Sequence, residues 1–325
     1  MFIASEPPSA LLDFINKYNN FLIAGHTEPD GDCVSCQLVL SSALRRLGKT
    51  AIPCQAGPFK RREIAGFESQ FTAEISNDIR QNAALIIVDC SSIERTGALK
   101  DCFKGMPVAV IDHHATGKAI DSEVSYIDSS APAAMLLVYS LIKALNVKIN
   151  EAEAQLLFLG LAADTGFFRH LDEGSAGIFD VAADLVRAGA NPKTVFNIMN
   201  GGKSLNSRRL LGAILCRTES HFEGKLIISS EERSDSERYG LESRDSDTLY
   251  QLLLAIEGVE AIAVIRQETD EKCTIGLRSR DSVDVSLIAA ALGGGGHKNA
   301  SGLSAKGQIK EIRAKVLAEF KKVFL

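Results

Sequence analysis

Acidic and histidine side chains stand at the ends of four apolar segments of this sequence. Segment 107–111 runs into Asp112, His113 and His114, and segment 85–88 runs into Asp89. Segment 21–24 leads to His26, Asp30 and Asp32, and segment 156–163 ends at Asp164. An apolar run rich in β-branched residues indicates a buried strand, which would deliver these side chains to one edge of a sheet. So many carboxylates and imidazoles in one pattern predict a metal site.

The donor types indicate which metal this is. A site that is rich in oxygen donors and contains a minority of imidazole suits Mn²⁺ or Mg²⁺ better than zinc, which favours tetrahedral Cys/His sets. We expect Gly31 to let the backbone bend so that the carboxylates of Asp30 and Asp32 converge. Cys33 and Cys36 have no second Cys/His pair at zinc-ribbon spacing, so we interpret both as packing residues.

A second cluster of residues suited to binding lies near the end of the chain. Residues 293–296 are four consecutive glycines, followed by His297, Asn299 and Ser301. Glycines leave room for backbone N–H groups to approach an anion. Upstream, Arg278, Ser279 and Arg280 end a predicted strand, and the planar guanidinium suits phosphate. We expect an anion-binding site here, with Arg278 the stronger candidate and Arg280 a candidate for a solvated surface charge.

Composition limits the class of protein. The chain has 325 residues, a 46% hydrophobic fraction and a net charge of −5. Its pI is about 5.8, whereas a domain that coats long nucleic acid is expected above roughly 9. The seven cysteines are an odd number, which fits reduced thiols in a cytoplasmic protein. We identify no signal peptide and no apolar stretch of membrane-spanning length.

The pattern of elements predicts an α/β fold in two domains. Strands are predicted at 21–25, 51–54, 85–89 and 107–112, and helices at 9–18, 33–47, 133–145, 151–162 and 175–189. This alternation favours a mostly parallel sheet flanked by helices. Segment 156–163 alone could be helix or strand. We place the first domain at 1–195, a linker at 196–207 and a smaller α+β domain at 208–325. In that domain strands are expected at 224–229, 260–268 and 272–278, helices at 245–256, 283–291 and 307–324, and a charged loop at 231–247.

Taken together, these motifs resemble the DHH phosphoesterase superfamily, in the group that carries a C-terminal DHHA1 domain and includes the nanoRNases. The resemblance covers nearly the whole chain and rests on five elements in order. These are the His26 to Asp32 motif, Asp89, the Asp112-His113-His114 triplet, the 164–169 segment and the 293–297 glycine-histidine segment.

The resemblance implies roles for these residues. His26, Asp30 and Asp89 would hold one divalent ion, and Asp32, Asp89, His113 and Asp164 a second, with Asp89 bridging the two. Mn²⁺ is the expected metal, with Mg²⁺ or Co²⁺ as alternatives. Two such ions would clamp the phosphoryl oxygens and generate a hydroxide. His114 would contact the scissile phosphate or assist the leaving group, and Asp112 would orient a histidine. The residues assigned to substrate binding are Arg278, Ser279, Arg280, Gly294, Gly295, Gly296, His297, Asn299 and Ser301.

The activity that the resemblance implies is hydrolysis of oligoribonucleotides of about two to five nucleotides to nucleoside 5′-monophosphates, in a cleft between the two domains. Removal of the 3′-phosphate from 3′-phosphoadenosine 5′-phosphate and hydrolysis of cyclic or linear dinucleotides (c-di-AMP, pApA, pGpG) remain alternatives. A nucleotide-binding regulator is the alternative outside enzymes, although the intact ligand set argues against it. The expected partners are short single-stranded RNA or a small nucleotide, with no long nucleic acid and no membrane. A homodimer is left open.

Two positions depart from the family pattern. Ser35 and Cys36 stand where the family usually has a Gly-Ser pair, which could alter phosphate contact at the helix N-terminus. Gly117 stands where an asparagine is frequent, which puts one polar contact near the site in doubt. Neither departure removes a predicted metal ligand, so we expect an active enzyme.

Overall fold

The computed structural model describes residues 5–114, 122–280 and 282–325. The chain divides into two compact units, Met1–Gly202 and Lys203–Leu325, and each has its own sheet. Within the described part of the chain, no helix combines the length and the apolar character needed to cross a bilayer.

The first unit is built on a five-stranded sheet in which all neighbouring strands are parallel. Its order is β2-β1-β3-β4-β5, with β1 at Asn20–Ala24, β2 at Thr50–Cys54, β3 at Ala84–Val88, β4 at Val108–Asp112 and β5 at Val124–Ile127. The predicted α/β class is therefore confirmed. The first four strands lie within one residue of their predicted bounds, whereas β5 was not predicted.

Helices cover this sheet. They are α1 (Ser9–Lys17), α2 (Gly31–Arg46), α3 (Arg62–Ala65), α4 (Asn77–Gln81), α5 (Ala134–Ala144), α6 (Glu151–Asp164), α7 (Ala176–Arg187) and α8 (Pro192–Asn200), with 3₁₀ segments at Glu68–Gln70 and Ile93–Phe103. The main core joins α2, α5 and α6 to one face of the sheet. A smaller cluster that includes Leu99 and Phe103 covers the other face. Segment 156–163 is helical, and Asn150 caps its helix by accepting from Glu153 N at 3.0 Å.

Two segments differ from their predicted description. Residues 196–200 continue helix α8 and residues 205–207 begin the next helix, so the predicted linker 196–207 contains only four residues outside helices, 201–204. Segment 231–247 is not a loop, because it contains a helix at Arg233–Tyr239 and a 3₁₀ turn at Leu241–Ser243. Several of its charges are paired within the fold. Arg233 pairs with Glu237 one helical turn away, and Arg217 pairs with Asp235.

The second unit carries a six-stranded mixed sheet in the order β10-β11-β9-β8-β7-β6. In the described part of this sheet, β7 and β8 are parallel neighbours and the other neighbouring pairs are antiparallel. The strands are β6 (Glu219–His221), β7 (Leu226–Glu231), β8 (Ala261–Thr269), β9 (Lys272–Ser279), β10 (Gly295–His297) and β11 (Ala300–Lys306). The helices are α9 (Leu205–Cys216), α10 (Arg233–Tyr239), α11 (Ser246–Leu254), α12 (Val285–Ala291) and α13 (Ile309–Phe324). The predicted α+β character of this part is confirmed.

The two faces of this second sheet are covered to different extents. Helices α12 and α13 pack on one face along β7, β8 and β9. On the other face, α9 and α11 pack over β7 and β8. The part of that face formed by β9, β11 and β10 carries mainly glycine, alanine and polar residues that are half-buried or exposed. We call this part the open face.

Candidate metal centre and substrate-binding face

The first group of predicted site residues comes together at the carboxyl edge of the parallel sheet. His26 lies two residues beyond β1, Asp89 follows β3 directly, and Asp112 ends β4 and is followed by His113 and His114. Strands β1, β3 and β4 are neighbours, so their carboxyl ends deliver these side chains to one place. Asp89 has a φ of 59°, a left-handed conformation that is uncommon for residues other than glycine and occurs often at functional sites.

Helix α2 brings two more carboxylates to this edge. Asp30 is the N-cap, and its Oδ1 accepts from the backbone N–H groups of Asp32 and Cys33, each at 3.1 Å. The other oxygen of Asp30, Oδ2, lies 3.9 Å from His26 Nε2. Asp32 is fully buried, and its oxygens accept from Ala134 N at 2.5 Å and from Met135 N at 2.9 Å. Asp32 is therefore fixed by the first amides of α5.

Close packing of α2 against α6 places Asp164, the last residue of α6, beside Asp32. A Cβ on Gly31 would lie 2.8 Å from Ala163 Cβ, and a Cβ on Gly160 would lie 2.2 Å from Ser35 Oγ. Gly31 is the first residue of a regular helix and is not among the glycines with positive φ. The prediction that Gly31 bends the backbone was therefore wrong, because its role is to let the two helices approach.

The resulting cluster is compact. His26 Nε2 lies 3.2 Å from Asp89 Oδ2, and His113 Nε2 lies 3.4 Å from Asp89 Oδ1 and 3.3 Å from Asp164 Oδ2. One donor atom from each of Asp32, Asp89, His113 and Asp164 lies within 4.8 Å of the others. Asp89 thus lies near two histidines with two different oxygens, an arrangement suited to a ligand that bridges two ions.

Backbone carbonyls orient the two histidine rings. His26 Nδ1 lies 2.9 Å from Thr27 O, and His113 Nδ1 lies 3.1 Å from Ala131 O. Since a carbonyl oxygen can only accept, each Nδ1 carries a hydrogen, and Nε2 is the nitrogen that faces the carboxylates, where the neutral ring could bind a metal ion. Both rings therefore present the nitrogen that a metal ion needs.

His114 is more exposed and is held by Asp112. Its Nδ1 lies 2.8 Å from Asp112 Oδ1, which also accepts from the backbone N–H groups of His113 at 2.8 Å and of His114 at 3.2 Å. Asp112 is fully buried at the end of β4. It contacts the backbone and ring of the histidine pair, which is the arrangement expected of a residue that orients a histidine.

The pKa values reflect several carboxylates crowded at a buried place. Burial, followed by the charges of Asp164 and Asp89, raises the pKa of Asp32 well above its usual range. Burial lowers the pKa of His113, but the nearby carboxylates of Asp164 and Asp89, together with the charge of Asp32, outweigh it and raise that pKa to about 11. Burial would raise the pKa of Asp89, yet its histidine partners hold it below the usual value. The cluster therefore favours a cation at its centre, whether proton or metal.

The donor set fits a divalent metal ion. Among the described residues, buried Asp89 Oδ1 and His113 Nε2 have no hydrogen-bond partner, and leaving such atoms unpaired is costly. Carboxylate oxygens outnumber imidazole nitrogens in the cluster, which suits Mn²⁺ or Mg²⁺. The residues predicted to bind metal thus come together, and the cluster suits divalent ions.

Cys33 lies closer to this cluster than the sequence indicated. Its sulfur is within 4.8 Å of donor atoms of His26 and Asp89, and burial raises its pKa well above the ordinary value.

Cys36, at one of the two departures from the family pattern, donates to Asp32 Oδ1 at 3.5 Å, and Ser35 donates to Asp32 O at 3.0 Å. Both residues of that departure therefore contact Asp32. The other departure, Gly117, lies outside the described residues.

The predicted substrate-binding residues of the second unit divide between the two sides of its sheet. Arg278, Ala300 and His297 are paired across β9, β11 and β10, and Gly276, Gly302 and Gly295 form the next row. All six lie on the open face. A Cβ on Gly295 would meet nothing within 4 Å, so this part of the open face is bare backbone beside Arg278 and His297.

Other residues of the same motifs have structural contacts. Ser279 is buried and donates to Val283 O at 2.7 Å, and Ser301 is buried and donates to His297 O at 2.8 Å. A Cβ on Gly294 would lie 2.4 Å from Leu303 Cβ, and Gly296 has a φ of 143°. The predicted glycine loop is therefore partly a strand, in which only alternate residues reach the open face. Asn299 O accepts from Ser279 N at 3.1 Å.

Arg280 is exposed, as expected for a surface charge, and donates to Leu254 O at 2.8 Å. The sequence did not predict a role for Tyr250. In the structure its ring centroid lies 4.3 Å from the guanidinium carbon of Arg278. This contact depends on how α11 packs on the sheet, so no sequence motif signals it.

Two domain families match two separate stretches of the chain. Residues 20–161 match the DHH family, N-terminal domain, and residues 223–322 match the DHHA1 domain. The chain carries a DHH domain followed by a DHHA1 domain. The candidate metal centre lies in and just after the DHH match, and the open face lies within the DHHA1 match.

Several curated relatives of this chain carry the names of phosphoesterases. The bifunctional oligoribonuclease and PAP phosphatase NrnA of Thermus thermophilus is 29% identical over 289 residues, which are 88% of this chain and 84% of that protein. The cyclic-di-AMP phosphodiesterase GdpP of Bacillus subtilis is 28% identical over 309 residues, 89% of this chain and 45% of that protein. The chain spans 38% of the length of two further relatives, both phytoplasma fusion proteins.

Solved structures share the DHH fold. An exopolyphosphatase-related protein from Bacteroides fragilis superimposes with a TM-score of 0.79 at 20% identity, covering 97% of this chain and 94% of that one. The exonuclease RecJ bound to manganese superimposes with a TM-score of 0.50 at 17% identity, covering 98% of this chain and 96% of that one. At these identities the similarities establish the fold.

Proposed function

We propose that this DHH protein is a Mn²⁺-dependent phosphodiesterase that hydrolyses short oligoribonucleotides to nucleoside 5′-monophosphates. The observation that carries the proposal is the cluster of Asp32, Asp89, His113 and Asp164, whose donor atoms lie within 4.8 Å of one another. Its unpartnered buried atoms, Asp89 Oδ1 and His113 Nε2, are suitable metal ligands.

The residues divide into a metal-holding set and a phosphate-facing histidine. Asp32, Asp89, His113 and Asp164 would hold one ion, and His26, Asp30 and Asp89 the other. When bound, the two ions supply an activated water and neutralise charge on the phosphoryl group. His114 is directed by Asp112 at 2.8 Å and keeps 39% of its side chain exposed, so it can donate a proton to a phosphate or to the leaving oxygen.

The open face supports the choice of a nucleotide as substrate. Arg278 can contact an anion with its guanidinium, and His297 is exposed at the edge strand. Neighbouring strands are about 4.8 Å apart, so the three strands of this face span roughly 10 Å. A face of this width favours a short substrate.

Two alternative substrates share the same chemistry. The Thermus relative is named as both an oligoribonuclease and a PAP phosphatase, and the Bacillus relative as a cyclic-di-AMP phosphodiesterase. Each reaction needs a phosphoryl group at the metal centre and a second group of the nucleotide held elsewhere. A nucleotide-binding regulator would need neither unpartnered metal ligands nor an oriented His114, so we rank it below an enzyme.

A substrate panel tests the proposal. Full-length protein stripped of metal should be assayed with Mn²⁺, Mg²⁺ or Co²⁺ on an RNA dinucleotide, 3′-phosphoadenosine 5′-phosphate, cyclic-di-AMP, pGpG and pyrophosphate. We expect hydrolysis of the RNA dinucleotide to 5′-monophosphates with Mn²⁺. Hydrolysis of pyrophosphate or of the 3′-phosphate alone, with every phosphodiester left intact, would overturn it.

A pair of variants connects this activity to the metal centre. Asp89→Ala removes the ligand shared by both ions, so we expect less than about a tenth of the wild-type activity and loss of bound metal. Asp180→Asn is the matched control, because Asp180 is an exposed carboxylate on α7 of the same unit. Activity above a tenth in Asp89→Ala would contradict the two-metal assignment.

A further inference from the structure

Arg278 differs from most of the arginines around it in what holds its side chain. In the second unit, Arg208, Arg217, Arg244, Arg266 and Arg313 each pair with a carboxylate. Within the described part of the chain, Arg278 has no such ion pair. Its Nη1 donates to Leu277 O at 2.8 Å, and its guanidinium carbon lies 4.3 Å from the centroid of the Tyr250 ring. The remaining N–H groups are thus available to an anionic ligand.

We infer that Tyr250 is a positioning residue that holds the Arg278 guanidinium in the geometry needed to bind substrate. This inference rests on the proposed function in one respect, which is that Arg278 contacts an anionic group of the nucleotide. A guanidinium stacked on an aromatic ring stays charged and keeps its donors at the edge of its plane. A carboxylate partner, by contrast, would occupy those donors and cancel the charge that attracts a phosphate.

Tyr250 is itself fixed from several sides. The residue is 7% exposed and packs with Leu249, Leu253 and Val264 in the core beneath α11. Its hydroxyl stands over β9, where a Cβ on Gly276 would lie 1.8 Å from the oxygen. Glycine at position 276 is therefore needed to admit the tyrosine.

A buried ion pair supports the other side of Tyr250. Arg266 Nη1 donates to the Tyr250 hydroxyl at 3.4 Å, and the Arg266 Nε lies 3.1 Å from Glu231 Oε2. Glu231 is 1% exposed and also pairs with Arg244 at 2.7 Å. Because these charges are buried and paired, they resist displacement. The chain of contacts from Glu231 through Arg266 and Tyr250 ends at Arg278.

The kinetic test compares three variants of the full-length protein. Tyr250→Leu removes the ring. We expect the KM for an RNA dinucleotide to rise about three- to tenfold, which corresponds to the free energy of one cation–π contact, and kcat to change less than twofold. Tyr250→Phe keeps the ring and should keep a KM within twofold of wild type. Tyr239→Leu is the matched control, because Tyr239 packs against the same core and stacks with Arg238. Among the described residues, no hydrogen bond or cation–π contact joins Tyr239 to Arg278. The KM of this control should be unchanged even if its thermal stability falls.

A double variant separates positioning from general damage to the unit. If Tyr250 acts through Arg278, the KM of Tyr250→Leu combined with Arg278→Ala should equal that of Arg278→Ala alone. A further multiplicative rise, or a KM for Tyr250→Leu no higher than that of Tyr239→Leu, would overturn the inference.

If no nucleotide is hydrolysed, the proposed function is contradicted and the kinetic test has no substrate. A structural measurement still tests the inference in that case. A crystal structure of the Tyr250→Leu variant should then show the Arg278 guanidinium displaced or without density. An Arg278 side chain that stays in place without the ring would overturn the inference, whatever the substrate proves to be.

Discussion

Ser35 on α2 and Gly160 on α6 are so close that a Cβ on Gly160 would lie 2.2 Å from Ser35 Oγ. The same Cβ would lie 2.9 Å from Asp32 Oδ1. The missing side chain at position 160 thus lets α6 lie against the first turns of α2. As a result, the carboxylates of Asp32 and Asp164 reach one site.

The first prediction concerns this helix crossing. Gly160→Ala should force the helices apart and displace Asp32, so the free energy of unfolding should fall by about 1–3 kcal/mol, as for other overpacked sites. The affinity for Mn²⁺ should fall as well, because two ligands are moved. Chemical denaturation and calorimetric titration of metal-free protein measure the two effects.

Gly212→Ala is the control for that substitution. Gly212 lies inside α9, and a Cβ there would meet nothing within 4 Å. Alanine is the better helix former by about 0.8–1.0 kcal/mol, so this variant should be more stable than wild type, with unchanged metal affinity. If both glycine variants were stabilised alike, the close approach of α2 and α6 would not matter to the fold.

The second prediction concerns His297. His297→Ala should leave the bound metal intact, since the residue is in the second unit's sheet. It should raise the KM for an RNA dinucleotide roughly ten- to a hundredfold, which corresponds to the free energy of one charge-assisted hydrogen bond. His221→Ala is the control, because His221 lies on β6 at the opposite edge of the same sheet. Loss of metal from His297→Ala, measured by elemental analysis, would refute its assignment to substrate binding.

The third prediction compares two adjacent glycines. Gly295→Ala adds a methyl group to the open face where nothing lies within 4 Å, so thermal stability should be unchanged while the KM rises about tenfold, or about 1.4 kcal/mol. Gly294→Ala should instead destabilise the protein, because its Cβ would lie 2.4 Å from Leu303 Cβ. An unchanged KM in Gly295→Ala would show that substrate does not approach this row of the open face.

The fourth prediction concerns substrate length. The open face spans roughly 10 Å, and a protein with a net charge of −5 offers little attraction to a long polyanion. Turnover should therefore be fastest for about two to five nucleotides and on the order of tenfold slower for an RNA of about 24 nucleotides, which gains no further contacts. Equal turnover of the dinucleotide and the longer RNA, measured at matched concentrations of ends, would argue for an exonuclease that follows long strands.

The sequence predicted the central strands and the residues at their ends well. Strands β1, β3 and β4 are buried on both faces, so their sequences are short apolar runs with clear ends. Asp89 and Asp112 come at those ends, and the parallel sheet brings them together. Strand β5 was missed because it is a four-residue edge strand with alternating exposure, a weak signal in any sequence.

Other features depend on packing that the sequence does not reveal. Gly31 was predicted to bend a turn, but it admits Ala163, which comes 132 positions later in the chain. The charges of segment 231–247 show no apolar period and therefore predict a loop, whereas Arg233, Glu237 and Asp235 are paired within and around α10. The contact between Tyr250 and Arg278 likewise arises only when α11 lies over β9.

The three-residue edge strand β10 has a consequence for how ligand binding can be observed. All three of its residues are exposed, and two of them are glycines. Such a short edge should open locally at low cost, so its backbone amides should exchange with solvent deuterium far faster than those of the buried β8. A nucleotide resting on the open face would slow that exchange. Deuterium uptake of the peptide containing residues 295–297 should therefore report occupancy directly, without a modified nucleotide and without turnover.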